Sequence, residues 1–279
     1  MAFNFADIME PQGTLIVDTL NIAFRYKHTK RSDFRYELIK TAESLAHSYK
    51  CGEIIFTADW GSSTYRKGLT AEYKADRAEK YKDQIEEDRI AFEEFFEEYE
   101  ITLKVAEEAG YKVLRYKGVE ADDIAAHLVK NRKRYELKDI WLISSDRDWG
   151  LLVQEGVSQF STVTRKEYTL DNWDEHYAVS PEQYISYKVI LGDSGDNIKG
   201  FAGIGPKRAS DLILQYDSAV DIYDQLPIDS KYKYMEDLNA NPDRIMLNYE
   251  LMDLIEYCDE AIGEENLQDI RLKMGDVKW

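Results

Sequence analysis

The sequence predicts an α/β fold with a mostly parallel central sheet, followed by a largely helical C-terminal region. Four short apolar runs, typical of buried strands, alternate with segments that have the periodicity of helices. Strands separated by helices of this length are joined by right-handed crossovers and therefore run parallel. Each of the four runs also leads into acidic residues, which places these acids at the carboxyl edge of the sheet, where open parallel sheets bind ligands.

Three of the predicted strands end directly in acids. The first, "GTLIVDTLN", reaches Asp18, and the second, "GEIIFTADW", reaches Asp59. The run "DIWLISSDRDW" is the fourth strand in chain order, and it leads into Asp146 and Asp148. One such acidic pair after a strand is most simply a solvated turn, because Asp and Ser are common in turns. Repetition of the pattern at several strand ends favours a shared purpose.

The third strand leads into a helix that begins with acids. In "YKVLRYKGVEADD" the chain passes through a glycine to Glu120, Asp122 and Asp123. The helical patterns that separate the strands include "SDFRYELIKTAESLAHSY" and "DDIAAHLVKNRKRYEL". These elements complete the alternation that predicts crossovers on a parallel sheet.

Residues 60 to 105 interrupt the alternation. Their first half, "STYRKGLTAEYKADRAEKYK", is rich in Lys and Arg and has no apolar stripe, so we expect it to stand away from the body. The second half, "IEEDRIAFEEFFEEYE", carries Phe92, Phe95, Phe96 and Tyr99 at helical spacing. This pattern predicts an amphipathic helix that packs on the core.

The last third of the chain changes character. "VSQFSTVTRKEYTL" predicts a β-hairpin, and "SPEQYISYKVILG" has a helix start at Ser–Pro–Glu. From Pro181 onward we expect helices to the end. We therefore divide the chain into an α/β core over residues 1–185 and a helical region over residues 186–279.

Composition limits the class of protein. The 279 residues carry a formal net charge of −18, which by itself argues against a nucleic-acid partner. Either acidic faces keep the protein soluble, or carboxylates gather around cations. Cys51 and Cys258 are far apart and the four histidines are scattered, so zinc is not expected. No apolar run approaches a membrane span and no signal segment is evident, so we expect a cytoplasmic protein without a membrane partner.

The acids at segment ends form the main constellation of the sequence. Two unit charges about 4 Å apart repel by roughly 1 kcal/mol in water and about 4 kcal/mol at an effective dielectric of 20. A convergent group therefore needs cations, and oxygen ligands without His or Cys suit Mg²⁺ or Mn²⁺. The nine acids are Asp18, Asp59, Glu120, Asp122, Asp123, Asp146, Asp148, Asp193 and Asp196.

Each cluster alone has a simpler interpretation. Asp122 and Asp123 suit the first turn of a helix, Asp18 could cap a helix, and Asp193 with Asp196 could form an Asx turn. Together, at five segment ends on one predicted edge, they favour a metal site. Two hard cations roughly 4 Å apart are used for phosphodiester hydrolysis. The sequence therefore predicts a two-metal hydrolase of phosphodiesters.

A glycine-rich turn, "GDNIKGFAGIGPKRASDLI", predicts a phosphate contact. Its two glycines would form a tight turn before Pro206, at the first position of a helix whose N–H groups point toward an anion. From residue 197 to 210 there are three basic residues and no acid, as phosphate contact requires. An ordinary Gly–Pro connection between helices is the alternative. The residues predicted to contact phosphate are Lys199, Gly203, Ile204, Gly205, Lys207 and Arg208.

These motifs resemble the 5′-nuclease family, which includes phage flap endonucleases and the 5′-nuclease domain of bacterial DNA polymerase I. The matching pieces are "IVDTLN", "FTADW", "EYKADRAEKY", "GVEADD", "LISSDRDW" and "LGDSGDNIKGFAGIGPKRA", in the order of the family. They cover roughly residues 14 to 215. "GVEADD" together with the glycine-turn segment is highly specific.

The resemblance implies further structure. The sheet would be of the PIN-like type, and residues 60 to 105 would form a helical arch through which a single-stranded 5′ end passes. Within the arch, Lys74 and Arg77 would contact the scissile phosphate, and Tyr73 would be a base-stacking or positioning aromatic. The glycine turn would belong to a helix–three-turn–helix motif that holds duplex phosphates, usually with K⁺.

The resemblance also implies an activity. The protein would be a structure-specific nuclease that cuts 5′ flaps endonucleolytically and trims 5′ ends exonucleolytically, in replication, repair or primer removal. Its partners would be DNA with a 5′ flap, fork or free 5′ end, RNA/DNA hybrids and a separate DNA polymerase, and it would act as a monomer. The first metal would be bound mainly by the five acids from Asp18 to Asp123, and the second by the four from Asp146 to Asp196.

Two other classes remain as alternatives. A PIN-type ribonuclease shares the acidic α/β core but lacks the glycine turn. A non-catalytic DNA-binding module would not need nine carboxylates near DNA, since each of them would repel phosphate.

Overall fold

The computed structural model describes residues 12–27, 33–76 and 86–276, and it confirms the α/β core and the helical C-terminal region. The central sheet has six strands in the order β3-β2-β1-β4-β5-β6. All neighbours are parallel except β5 and β6. The strands are β1 (Gly13–Asp18), β2 (Cys51–Ala58), β3 (Lys112–Arg115), β4 (Lys138–Ile143), β5 (Val157–Phe160) and β6 (Glu167–Tyr168).

The register of the sheet brings the acidic strand ends to one level. All six residues of the central strand β1 are buried, because helices cover both faces of this part of the sheet. Asp18 pairs with Thr57 of β2, and the preceding Val17 pairs with Ile143 of β4. The three strands therefore end side by side, as the sequence predicts.

The helices follow the predicted alternation, with different lengths. The amphipathic helix predicted within "IEEDRIAFEEFFEEYE" extends to Glu108 and buries Phe95 and Tyr99 against the sheet. The helices are α1 (Thr19–Lys27), α2 (Arg35–Ser48), α3 (Thr64–Leu69), α4 (Glu86–Glu108), α5 (Ala121–Lys130), α6 (Pro181–Leu191), α7 (Pro206–Tyr216), α8 (Ala219–Gln225), α9 (Met235–Ala240), α10 (Asp243–Met252), α11 (Leu254–Ile262) and α12 (Glu264–Lys273). In the described ranges, no helix combines the length and apolarity that crossing a bilayer requires.

The C-terminal region contains one element that the sequence analysis did not predict. The hairpin β5–β6 is confirmed, but the expectation of helices alone after Pro181 is wrong. Gly192–Asp193 (β7) and Ile198–Lys199 (β8) form a short antiparallel ribbon after α6. Gly200 makes the ribbon possible, because a Cβ on it would lie 2.0 Å from the backbone oxygen of Leu191.

The basic half of the 60–105 segment is held against the body between residues 63 and 74, which contradicts the expectation that it stands away. Arg66 and Tyr73 are buried at 2% exposure each. Arg66 donates a hydrogen bond of 2.8 Å from Nε to the carbonyl oxygen of Leu251 in α10. This segment therefore connects the α/β core to the helical region.

Candidate active site

Asp18 lies at the centre of the acidic edge. Its Oδ2 accepts a hydrogen bond of 2.7 Å from Ser144, the first residue after β4, and its Oδ1 accepts one of 3.1 Å from the backbone of Asn21. The carboxylate is thus fixed between the ends of two strands. Asp18 is buried, with 6% of its surface exposed.

Asp59 and Asp122 approach the same point from the neighbouring elements. Asp59 follows β2, and its Oδ1 accepts a hydrogen bond of 2.6 Å from the backbone of Ala121 at the start of α5. A helix N-terminus is a favourable place for a negative charge. Oδ1 of Asp122 accepts a hydrogen bond of 2.6 Å from the indole of the fully buried Trp149.

Burial, together with the charges of neighbouring acids, raises the pKa values of these acids. Burial, followed by the charges of Asp59 and Asp146, raises the pKa of Asp18 to about 8. Burial raises the pKa of Asp59 to about 6, and the charge of Glu120 adds to the shift. Burial and the charges of Asp146, Asp18 and Asp59 also raise the pKa of Asp122. The predicted convergence of carboxylates therefore makes their simultaneous ionisation at neutral pH unfavourable.

Glu120 is surrounded by cations and donors. Its Oε1 binds Nζ of Lys74 at 2.8 Å, and its Oε2 accepts a hydrogen bond of 2.8 Å from the hydroxyl of Tyr73. A guanidinium nitrogen of Arg66 lies 3.5 Å from Oε2. Burial opposes ionisation, but Lys74 and Arg66 outweigh it and hold the pKa of Glu120 below its usual value.

Asp123 has a different environment from the other acids. Both of its carboxylate oxygens bind the guanidinium of Arg66, each at 2.8 Å. Such a bidentate pair uses the oxygens that a metal ion would need. The structure therefore places Asp123 in a buried ion pair beside Glu120, and this geometry does not favour its predicted role as a metal ligand.

Two acids of the predicted second metal site, Asp148 and Asp193, lie around another buried cation. Lys188 of α6 contacts Asp148, and its Nζ lies 3.5 Å from Oδ2 of Asp193. Asp196 faces the first group instead, because its Oδ2 lies 3.2 Å from the Tyr73 hydroxyl and 3.4 Å from Nζ of Lys74. Lys74 and Tyr73 therefore connect the two groups of acids.

A cleft of about 780 Å³ opens beside the second group of acids. Residues that follow the carboxyl end of β4 line it, and so does Pro206 at the start of α7. Four of the predicted ligands line it, Asp146, Asp148, Asp193 and Asp196, together with a further acid, Glu175, and its basic residues include Arg147, Lys166 and Lys188.

The donor set suits a hard cation in its chemistry. The acids offer oxygen ligands, and those of Asp18, Asp59 and Asp122 have raised pKa values that a bound cation would reverse. The hydroxyl of Tyr99 is buried near Asp18 and Asp59 and has no hydrogen-bond partner among the described residues. A water molecule bound to a cation at these acids would supply one.

The side chains are not already arranged for coordination. Across residues 12–27, 33–76 and 86–276, no three acidic, His or Cys side chains are placed to hold a metal ion. The protein's own cations, Lys74, Arg66 and Lys188, occupy several of the carboxylate oxygens. A metal ion bound at Glu120 or Asp196 would compete with Lys74 for these carboxylate oxygens.

The residues that the resemblance assigned to the arch have distinct positions. Tyr73 is 2% exposed, so its ring is not available to stack on a base in this conformation. Lys74 has a φ of 53°, and its backbone N–H donates to the carbonyl oxygen of Asp196 at 3.0 Å. Arg77 lies outside the described residues.

The glycine turn has the backbone expected of it. Gly203 has a φ of 78°, and Gly205 is the N-cap residue of α7. Ile204 is buried in the helical region, so only its backbone can face a phosphate.

The basic residues near the turn are differently placed. Lys207 is highly exposed and only loosely paired with Asp211 at 3.3 Å. Lys199 pairs with Glu72 at 2.9 Å, and the guanidinium of Arg208 lies 4.5 Å from the ring centroid of Tyr234. Of the three, Lys207 is the one presented most openly beside the helix start.

Two buried cations of the site, Arg66 and Lys188, were not predicted from the sequence. Arg66 lies in a stretch rich in basic residues, where nothing distinguishes it from exposed neighbours. Lys188 carries a signal that could have been used, because it interrupts the apolar run "YISYKVIL". A lysine in such a run is rarely fully buried without a carboxylate partner.

Comparison with known proteins agrees with this architecture. The model of the N-terminal resolvase-like domain of 5′-3′ exonucleases matches residues 14–178, and that of their C-terminal SAM fold matches residues 179–277. A flap endonuclease of Escherichia phage T5 is 40% identical over 260 residues, which are 92% of this chain and 89% of the relative.

Solved structures give the same result. A T5 5′-exonuclease with bound zinc ions superposes with a TM-score of 0.90 at 38% identity, covering 95% of this chain and 99% of that one. A T5 flap endonuclease variant in a pseudo-enzyme–product complex with DNA and metal ions gives a TM-score of 0.89 at 38% identity, covering 95% of this chain and 98% of that one.

Proposed function

Because the chain belongs to the 5′-3′ exonuclease family, we propose that it is a structure-specific 5′-nuclease that hydrolyses phosphodiester bonds at 5′ flaps and free 5′ ends of DNA. The observation that carries this proposal is the group of mutually repelling acids at the carboxyl edge of the sheet, with Asp18 at its centre. Such a group gains stability from divalent cations, and phosphodiester hydrolysis uses them.

We propose Mg²⁺, or Mn²⁺ in its place, as the cofactor, with two or more ions. When bound, these ions supply the charge that activates a water molecule and stabilises the departing oxygen. Asp123 is better assigned to support Glu120 through Arg66 than to bind an ion itself. The proposed ligands are Asp18, Asp59, Glu120 and Asp122 at the first site, and Asp146, Asp148, Asp193 and Asp196 at the second.

Lys74 is proposed to hold the scissile phosphate. Its ammonium lies between Glu120 and Asp196, at the boundary of the two groups of acids. A phosphodiester that enters there competes with these carboxylates for the ammonium and keeps it in the charged form. Arg77, three residues further along, is proposed to assist it.

The glycine turn at Gly203–Gly205, called the hairpin from here on, is proposed to bind the duplex part of the substrate. The backbone N–H groups at the start of α7 and the exposed Lys207 support this role. By analogy with the family we further propose K⁺ at this motif, a monomeric protein, division near residue 185, and a separate DNA polymerase that generates the substrates. Action in the host cytoplasm and on RNA/DNA hybrids belongs to the same proposal.

The activity is tested with a 5′-labelled duplex that carries a 5′ flap. We expect cleavage near the junction in Mg²⁺ and none in EDTA, because the acids cannot approach a phosphate without cations. A single-stranded RNA of the same length separates this function from a PIN-type ribonuclease. Undiminished flap cleavage in EDTA, or a preference for the RNA, would contradict the proposal.

Replacement of Lys74 tests its catalytic role. We expect Lys74→Ala to lower the single-turnover cleavage rate by about 10²–10³-fold, the usual effect of losing one preorganised contact to a developing charge. Affinity for the flap substrate should change little, since the duplex is held at the hairpin. The matched control is Lys67→Ala, which removes an exposed lysine from the same segment. A Lys74→Ala rate within about threefold of the parent would refute the role.

Two glycine variants separate phosphate contact from folding at the hairpin. Gly203→Val should weaken duplex binding. It should also lower stability, because residue 203 has a φ of 78° and an added Cβ would lie 3.2 Å from the Cβ of Tyr234. Gly205→Ala is the sharper test, because an added Cβ finds no atom of the described protein within 4 Å.

The expected result is weaker duplex binding by Gly205→Ala with a smaller loss of stability than in Gly203→Val, because Ala is a poorer N-cap than Gly but meets no clash, measured by fluorescence anisotropy and thermal denaturation. Lys207→Ala should reduce the slope of log affinity against log salt by about one unit. If Gly205→Ala and Lys207→Ala both bound duplex DNA like the parent at every salt concentration, the hairpin would be a simple connector.

A further inference from the structure

Trp60 is an exposed aromatic residue beside the acidic edge. It retains 49% of its surface, whereas Trp149 and Trp173 are buried at 0% and 4%. Trp141 is partly buried, so Trp60 is the one exposed tryptophan in the described ranges. Single exposed apolar residues are ordinary on protein surfaces, so exposure alone has no functional meaning. The rigidity and the position of Trp60 set it apart.

Two hydrogen bonds hold the backbone of Trp60, and a cation–π contact supports its ring. Its backbone N–H donates to the carbonyl oxygen of Val119 at 3.3 Å, and its own carbonyl oxygen accepts a hydrogen bond of 2.8 Å from Gly118. The guanidinium carbon of Arg115 lies 5.0 Å from its ring centroid. A large apolar ring that is fixed while exposed is preorganised for a partner, because little conformational entropy is lost on contact.

Arg115 is itself fixed. Its guanidinium binds both carboxylate oxygens of Glu100, at 2.6 and 2.5 Å, and its Nε donates to the carbonyl oxygen of Asp59 at 3.2 Å. The cation therefore supports the indole from one side and links it to the backbone of a proposed metal ligand.

The position of Trp60 indicates which part of a substrate it meets. Trp60 follows Asp59 at the end of β2, on the β3 side of the central strand. The cleft that reaches Pro206 opens on the other side, beside β4. A DNA molecule with its duplex at the hairpin and a phosphate at the acids therefore continues toward Trp60 with its single-stranded part.

We propose that Trp60 stacks on the nucleobase of the flap nucleotide that lies immediately 5′ of the scissile phosphate. This inference rests on the proposed function and adds a binding site for one base to it. Stacking on an indole is tolerant of sequence, because every base offers a π face. Tyr73, the aromatic residue that the family resemblance suggested for such a contact, is buried against Glu120 and Asp196.

The experiment compares a normal flap with one that has an abasic residue at this position. Affinities are measured in Ca²⁺, with a gel check that the DNA stays uncut, and single-turnover rates are measured in Mg²⁺. The proteins are the parent, Trp60→Ala, Trp60→Phe and the control Tyr36→Ala, which removes an aromatic residue of 59% exposure from α2. Thermal denaturation verifies that all four fold alike.

We expect the abasic residue to weaken binding by the parent about 5- to 100-fold, the range for loss of one stacked base. Trp60→Ala should weaken binding of the normal flap by a similar factor and show no further loss with the abasic flap. Trp60→Phe should retain most of the affinity, and Tyr36→Ala should match the parent on both substrates.

Equal abasic effects in the parent and in Trp60→Ala would overturn the stacking site, as would a parent that binds both flaps equally. The proposed function fails separately, if the parent does not cut the normal flap in Mg²⁺. Cleavage by the parent together with parental behaviour of Trp60→Ala would leave the nuclease assignment intact and remove only the role of Trp60.

Discussion

The arrangement of the site follows from the repulsion between carboxylates at the carboxyl edge of a parallel sheet. The sheet brings Asp18 and Asp59 together because β1 and β2 end at the same level, and α5 adds Asp122. Burial and like charge raise the pKa of each of these groups. Charge compensation is therefore the condition under which this edge can exist with its acids ionised.

The protein supplies part of that compensation itself. Lys74 and Arg66, on the segment between residues 63 and 74, contact acids of the core, and Lys188 contacts Asp148 and Asp193. The same segment reaches the helical region, since Arg66 binds the Leu251 carbonyl and Tyr73 binds Asp196. A cation or a phosphate that binds at the acids therefore competes for side chains that also join the two halves of the chain.

The parts of this arrangement that are local in sequence could be predicted from it. Strand ends and helix starts follow from hydrophobic periodicity, and the crossover rule then collects their acids on one edge. Long-range pairing could not be predicted: Arg66 and Asp123 are 57 positions apart, and Lys188 and Asp148 are 40 apart. The ribbon around Gly200 was missed because two-residue strands carry no periodic signal.

We expect ionisation of Asp18 to destabilise the metal-free fold. Burial raises its pKa to about 8 in the folded protein, against about 3.9 in an unfolded chain. Between these pH values the folded state retains a proton that the unfolded state has lost, so this group makes the free energy of unfolding fall as pH rises, by at most about 1.4 kcal/mol per pH unit.

The decisive measurement is urea unfolding in EDTA from pH 5 to pH 8 for the parent, Asp18→Asn and the exposed-acid control Asp224→Asn. We expect the parent and Asp224→Asn to lose stability toward pH 8 and Asp18→Asn to lose less. We also expect Mg²⁺ at pH 8 to stabilise the parent more than Asp18→Asn. Identical pH profiles for all three proteins, or equal stabilisation of all three by Mg²⁺, would contradict it.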